Sequence, residues 1–197
     1  MGRQIISSKE LSTLGFTQKS DGSFEKKQPI QNASPKVYIG LDMGETTGIA
    51  VWFVNTKKLT LYSLTFIEFL DYFYEKVLEI KKKYNVILVI EDVIANSPVF
   101  KAKFCYENTK NADGSAASHN QKIGAVCKYA ERVGAVKEKT KTIIELCKRY
   151  NIQTILKRPT KGSLTKLSHE QFVKMTGYKG RSNNHERDAA VMIYGMS

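Results

Sequence analysis

The chain is short of cysteine, of acidic residues and of long apolar runs. Its three cysteines, Cys105, Cys127 and Cys147, form no CxxC pair and no metal-binding spacing. That excludes a disulfide framework and a zinc ribbon, and reduced thiols fit a cytosol-like compartment, so a cytoplasmic protein is expected. No apolar run reaches the roughly 18 residues of a membrane span and no signal peptide opens the chain, so no membrane partner is expected. No internal repeat is present. Acids are outnumbered by bases, 19 Asp+Glu against 31 Lys+Arg, for a net charge of +12. A deficit of that size favours a polyanionic partner, nucleic acid before an anionic membrane. Apolar residues are in ordinary supply at 42%, and 197 residues suffice for one domain with a sizeable core and a short accessory piece.

The order of elements follows from hydrophobic periodicity. Residues 1–35 are polar and Lys-rich and read as an accessory arm and linker. Within them Ser8–Leu14 has room for one or two helical turns, and Asp21-Gly22 between Phe16 and Phe24 suits a small hairpin. Residues 36–197 read as one domain. Val37–Leu41 is a first strand, Gly48–Asn55 a second, and Leu59–Phe66 a third, with a hairpin loop at Asn55–Lys58. Apolar residues at Phe66, Leu70, Phe73, Tyr74, Val77 and Leu78 have helical spacing up to about Tyr84. Val86–Ile90 is a continuous apolar run, as expected of a central strand covered on both faces. Residues 93–120 read as a long polar loop. Gln121–Tyr150 is a long helix, Ile152–Leu156 a fifth strand, and Ser168-His-Glu-Gln171 a capping box opening a helix that stops at Gly177. A last helix starts near His185. The sum is β-β-β-α-β-α-β-α-α, a mixed five-stranded α/β sheet with helices on both faces, which is the order of the ribonuclease H-like fold.

Four side chains carry the chemistry. Asp42 ends the first strand and Glu91 ends the fourth. His185 and Asp188, at i and i+3, share a face of the last helix. Sites in open α/β sheets collect outside the carboxyl ends of the strands, so parallel pairing of strands one and four would make Asp42 and Glu91 neighbours there. Three carboxylates that close need a cation, and hard oxygen donors with at most one imidazole suit Mg²⁺ or Mn²⁺. Two such ions roughly 4 Å apart can hold a scissile phosphate, activate water and stabilise a leaving 3′ oxygen. Bases interleaved with aromatics in the 93–120 segment (Phe100, Lys101, Lys103, Phe104 and Lys110) have the composition of a nucleic-acid contact. Lys157, Arg158, Lys161 and Lys166 around the fifth strand are further candidates for a DNA groove.

The Gly-Leu-Asp-x-Gly-x-x-x-Gly strand and turn resembles the opening of the RuvC-type Holliday junction resolvases. So do the apolar strand ending in Glu91, the Asn111-Ala-Asp-Gly-Ser115 loop running into Gln121-Lys-Ile-Gly124 and a long helix, and the terminal His185-x-x-Asp188-Ala-Ala. The resemblance covers about residues 36–197 and leaves the N-terminal arm outside. It implies a ribonuclease H-like homodimer that nicks two opposed strands of a four-way DNA junction with divalent metal. Asp42, Glu91 and Asp188 would be metal-binding catalytic acids, His185 a fourth ligand, and Gly124 part of the dimer interface. The 93–120 segment is longer than the family pattern, and the residue that opens the junction is not identified, since the family's position falls near Ile94.

Other readings stay open at this point. Asp42 can be an ordinary turn residue, and His185 with Asp188 a helix cap and a first-turn acid. Asp42-x-Gly-x-Thr-Thr-Gly48 also resembles the first phosphate loop of the actin and sugar-kinase superfamily, though no second glycine-rich phosphate motif is present. A non-catalytic junction- or RNA-binding module, or a nuclease of the same fold acting on branched DNA or RNA, would share the same charge and acids.

Overall fold

The computed structural model describes residues 16–18, 24–26, 34–95, 99–158 and 167–197. The expected helix at Ser8–Leu14, the Asp21-Gly22 turn, Lys161 and Lys166 lie outside these residues, as do the side chains of Phe100 and Lys101. The chain divides into two compact units, Met1–Ser34 and Pro35–Ser197. In the first, strands β1 (Phe16–Gln18) and β2 (Phe24–Lys26) pair antiparallel, with Phe16 opposite Lys26.

The second unit is a five-stranded mixed sheet with helices on both faces. Its strands are β3 (Lys36–Asp42), β4 (Thr47–Phe53), β5 (Lys58–Leu64), β6 (Asn85–Glu91) and β7 (Gln153–Lys157). They lie in the order β5-β4-β3-β6-β7. β3, β4 and β5 form an antiparallel meander, and β6 and β7 join it parallel to β3. Side chains alternate between two cores, as the pleat dictates. Val37, Ile39, Leu41, Val86, Leu88 and Ile90 point to one face. There they meet Phe69, Phe73 and Val77 of the helix after β5, and Ile143 and Cys147 of the long helix. Tyr38, Trp52, Ile87 and Val89 point to the other face and meet Phe172, Ala189, Ala190 and Ile193. Each fully buried Leu, Ile or Phe contributes about 1.5–3 kcal/mol.

The first helix is not uniform. An α segment, α1 (Phe66–Tyr72), passes through a π-helical turn at Phe73–Val77 into α2 (Leu78–Lys81). Phe69, Phe73 and Val77 are all fully buried. Successive spacings of four overshoot an α-turn of 3.6 residues, and the wider π-turn keeps the three residues on one face.

The 93–120 segment differs from the expected loop. It contains α3 (Val99–Asn108), which packs on the long helix α4 (His119–Arg149). Ala102, Cys105 and Tyr106 are half-buried at helical spacing, as is Thr109 just past the helix, while Phe104 stays exposed. Asn111–Ser115 folds into a tight turn on Asp113 Oδ1, which accepts from Ser115 N at 2.9 Å, with Gly114 at positive φ. α4 starts earlier than expected because Ser118 caps it in a box with Gln121. Its buried residues, Thr140, Ile143 and Cys147, all fall in its C-terminal third. α4 is about 46 Å long at 1.5 Å per residue and runs antiparallel to β6 and β7, so its N-terminal part and α3 stand beyond the edge where β3 and β6 end.

The remaining helices are α5 (His169–Thr176) and α6 (Asn184–Ile193). α5 opens with the expected Ser168/Gln171 box and closes on left-handed Gly177. After α6 the chain end lies along the sheet. Trp52 Nε1 donates to Met196 O at 3.0 Å, Tyr38 Oη donates to Ser197 O at 3.0 Å, and Tyr194 packs on the Trp52 ring at 5.1 Å.

Candidate functional site

The pairing on which the site depends is present. β3 and β6 are parallel neighbours with Leu41 opposite Ile90, so Asp42 and Glu91 are the next residues of both strands. Tyr38 and Asp42 share one side of β3, and Ile87, Val89 and Glu91 share one side of β6. These sides face α6. Both acids therefore leave the sheet on one face, at its carboxyl edge.

Two glycines bring α6 down onto that edge. A Cβ on Gly40 would stand 2.3 Å from Ala189 O, and one on Gly48 would stand 2.2 Å from His185 O. Gly48 is also the antiparallel partner of Asp42. Only bare backbone on β3 and β4 lets the helix come this close. Its first turn is fixed by Asn183, whose Oδ1 accepts from Glu186 N at 2.9 Å while the Glu186 carboxylate accepts from Asn183 N at 2.9 Å. Asn183 is therefore the cap, which leaves His185 free of that duty.

His185 Nδ1 and Asp42 Oδ2 lie 2.7 Å apart. The contact is an ion pair when the imidazole is protonated and an ordinary hydrogen bond when it is not. The Asp42 side chain is 15% exposed and that of His185 49%, so the pair spans the boundary between sheet and solvent. Burial pushes the Asp42 carboxyl above its usual range, the bond and charge of His185 pull it back, and the nearby Asp188 carboxylate raises it again. Asp188 thus lies within electrostatic reach of Asp42. Among the described residues no three His, Cys, Asp or Glu side chains are gathered closely enough to hold a metal ion. The donor chemistry nevertheless fits a hard divalent cation: a buried carboxylate opposed by a second carboxylate is relieved by positive charge between them.

Other residues at this edge serve structure. Asp92 Oδ1 accepts from Ala95 N at 3.1 Å and turns the chain after β6. Thr47 and Gly48 belong to β4, so the turn after Asp42 is no wider than residues 43–46. His169 Nδ1 meets Ser182 Oγ at 3.0 Å, and His119 Nδ1 meets Tyr106 Oη at 2.8 Å. Both histidines lie outside the acid cluster.

The proposed nucleic-acid residues divide. Phe104 is 59% exposed on α3. Lys103, on the same helix, pairs loosely with Glu107 at 3.8 Å. Lys110 and Arg158 are exposed. Lys157 lies opposite Glu91 in register, but its Nζ donates to Met192 O at 2.9 Å, so its charge is spent on the last turn of α6.

Sequence reasoning missed three contributors. Arg187, buried between His185 and Asp188, donates from Nε to Leu167 O at 2.8 Å and from Nη1 to Ser182 O at 2.6 Å, and Nη2 bonds Asn184 Oδ1. It ties the segments before α5 and before α6 to the helix that bears the site. Lys139 and Lys137, from α4, bond carbonyls in the segments after Asp42 and after Glu91. The strand glycines were readable as breaks in apolar runs, whereas each of the three bases bonds at least one main-chain carbonyl, which no sequence pattern marks. Comparison with protein-family models, with curated proteins and with solved structures finds no match.

Proposed function

We propose that the protein is a ribonuclease H-like, metal-dependent endonuclease acting on branched nucleic acid, with four-way DNA junctions as the preferred substrate. The observation that carries this reading is the convergence of Asp42 and Glu91 on one face of adjacent parallel strands, with α6 seated over them by Gly40 and Gly48 so that His185 meets Asp42. The strand order β5-β4-β3-β6-β7 with an antiparallel β4 supports this reading, being the arrangement expected of a ribonuclease H-like sheet.

Asp42, Glu91 and Asp188, with His185, are the donors that would hold Mg²⁺ or Mn²⁺. Bound there, such ions would supply Lewis-acid polarisation of the phosphate, activation of water and stabilisation of the leaving oxygen. His185 holds one Asp42 oxygen in place and leaves the other available. The half-exposed imidazole also stands where a proton can be exchanged with solvent. The basic surface supplies the attraction for a polyanion. A homodimer would present two such edges to opposed strands of one junction.

The test is a cleavage assay on matched four-way junction, flap, duplex and RNA–DNA hybrid substrates in Mg²⁺. Paired nicks on the junction are expected. Asp42→Asn should lower the rate by at least about three orders of magnitude while leaving junction affinity within a few-fold. Normal cleavage by that variant, or tight junction binding without nicking in either Mg²⁺ or Mn²⁺, would overturn the enzymatic reading.

A further inference from the structure

The acids sit at strand ends, yet the segments that follow them are held from the opposite face of the sheet. Lys139 Nζ donates to Gly44 O at 2.9 Å, two residues beyond Asp42. Lys137 Nζ lies 3.4 Å from Ile94 O, three residues beyond Glu91. Both bonds are partly buried and both come from α4, whose next turn is anchored in the core by Thr140 and Ile143. The lysines are two positions apart and so project to different sides of the helix, as gripping two separate segments requires. The Lys139 ammonium also stands 5.7 Å from the Phe66 ring centre, at the start of α1. In the same turn, a Cβ on Gly44 would lie 3.5 Å from His185 Cε1. The residue 43–46 turn is therefore held by Lys139 and lies near the His185 ring.

We infer that Lys137 and Lys139 form a two-point clamp by which α4 fixes the segments that follow Asp42 and Glu91, acting as positioning residues for the acid pair. This rests on the nuclease reading for its effect on rate, and on geometry alone for its effect on structure. α4 is a stiff rod, and its outer part carries α3. A load on that arm is therefore transmitted to the two segments through the lysines, and nucleic acid held against the arm would be coupled to the chain that flanks the acids.

The test uses the full-length protein with Lys137→Met and Lys139→Met, singly and together. Methionine keeps the packing of the stem and removes the donor. Amide hydrogen exchange is measured without nucleic acid. Residues 43–46 and 92–95 should exchange at least about tenfold faster in the double variant, with the β3 and β6 interiors unchanged. In parallel, the single-turnover junction cleavage rate at saturation should fall by about tenfold or more with affinity within threefold, and Lys139→Arg, which keeps a donor, should recover it. Unchanged exchange at both segments overturns the clamp. Weakened junction binding with an unchanged saturated rate also overturns it, because the lysines would then be substrate contacts. Absence of cleavage by the parent protein counts against the nuclease reading, and the exchange measurement still decides the clamp.

Discussion

Asp42 carries its charge against its surroundings. Burial and the Asp188 carboxylate both raise its pKa, and His185 only partly opposes them. The sign of the consequence is fixed by linkage: a carboxyl whose folded pKa lies above its unfolded value contributes stability in full below the unfolded pKa, and that contribution is lost as pH rises through the folded pKa. In chelator, Asp42→Asn is therefore expected to melt at a higher temperature than the parent at pH 8, with the difference shrinking as pH falls toward 4. Adding Mg²⁺ should raise the parent's melting temperature and leave the variant's nearly unchanged. Thermal scans at the two pH values check this, and an equal or lower melting point for the variant at pH 8 counts against it. Asp42 and Glu91 were legible as candidates because each stands where an apolar run stops, and His185 and Asp188 because their i, i+3 spacing puts them on one helix face. Arg187 was not, because an arginine bonded to backbone carbonyls leaves no complementary carboxylate to find.

At the scale of elements, the seating of α6 depends on the absence of two side chains. Gly48→Ala sets a methyl against the main chain of His185, with no flexible group to give way. It should destabilise the domain by about 1–3 kcal/mol in chemical denaturation, and cleavage should fall further than stability. Gly124 is the contrast: a Cβ there meets nothing within 4 Å. Gly124→Ala should stabilise the folded chain by about 0.5–1 kcal/mol through helix propensity. Strands, the long helix and the Ser168 box were readable because their patterns are local. α3 was not, since its half-buried stripe is made of Ala102, Cys105 and Tyr106, which carry little hydrophobic contrast, while Phe104 is exposed. The π-turn was equally hidden, because spacings of four also fit an α-helix.

For the molecule as a whole, topology followed from the order of elements, since three meandering strands followed by two helix–strand units leave few places for β6 except beside β3. Which face each helix would cover, and how far α4 would extend past the sheet, depend on packing between distant segments. The net charge of +12 belongs to this scale too. Junction affinity should fall by roughly three orders of magnitude between about 50 and 200 mM salt if some six phosphates are contacted. A flat salt profile in a binding titration would mean that the basic surface is not the binding surface.

The chain has a single tryptophan, and it lies under the end of α6. Trp52 is 6% exposed, bonded through its indole N–H to Met196 O and covered by Tyr194. Its emission is thus a built-in optical gauge of whether the helix bearing His185 and Asp188 is seated. Unseating the helix would wet the indole and shift its fluorescence to the red, so docking of α6 can be followed in real time without a label and separately from the cutting of any substrate.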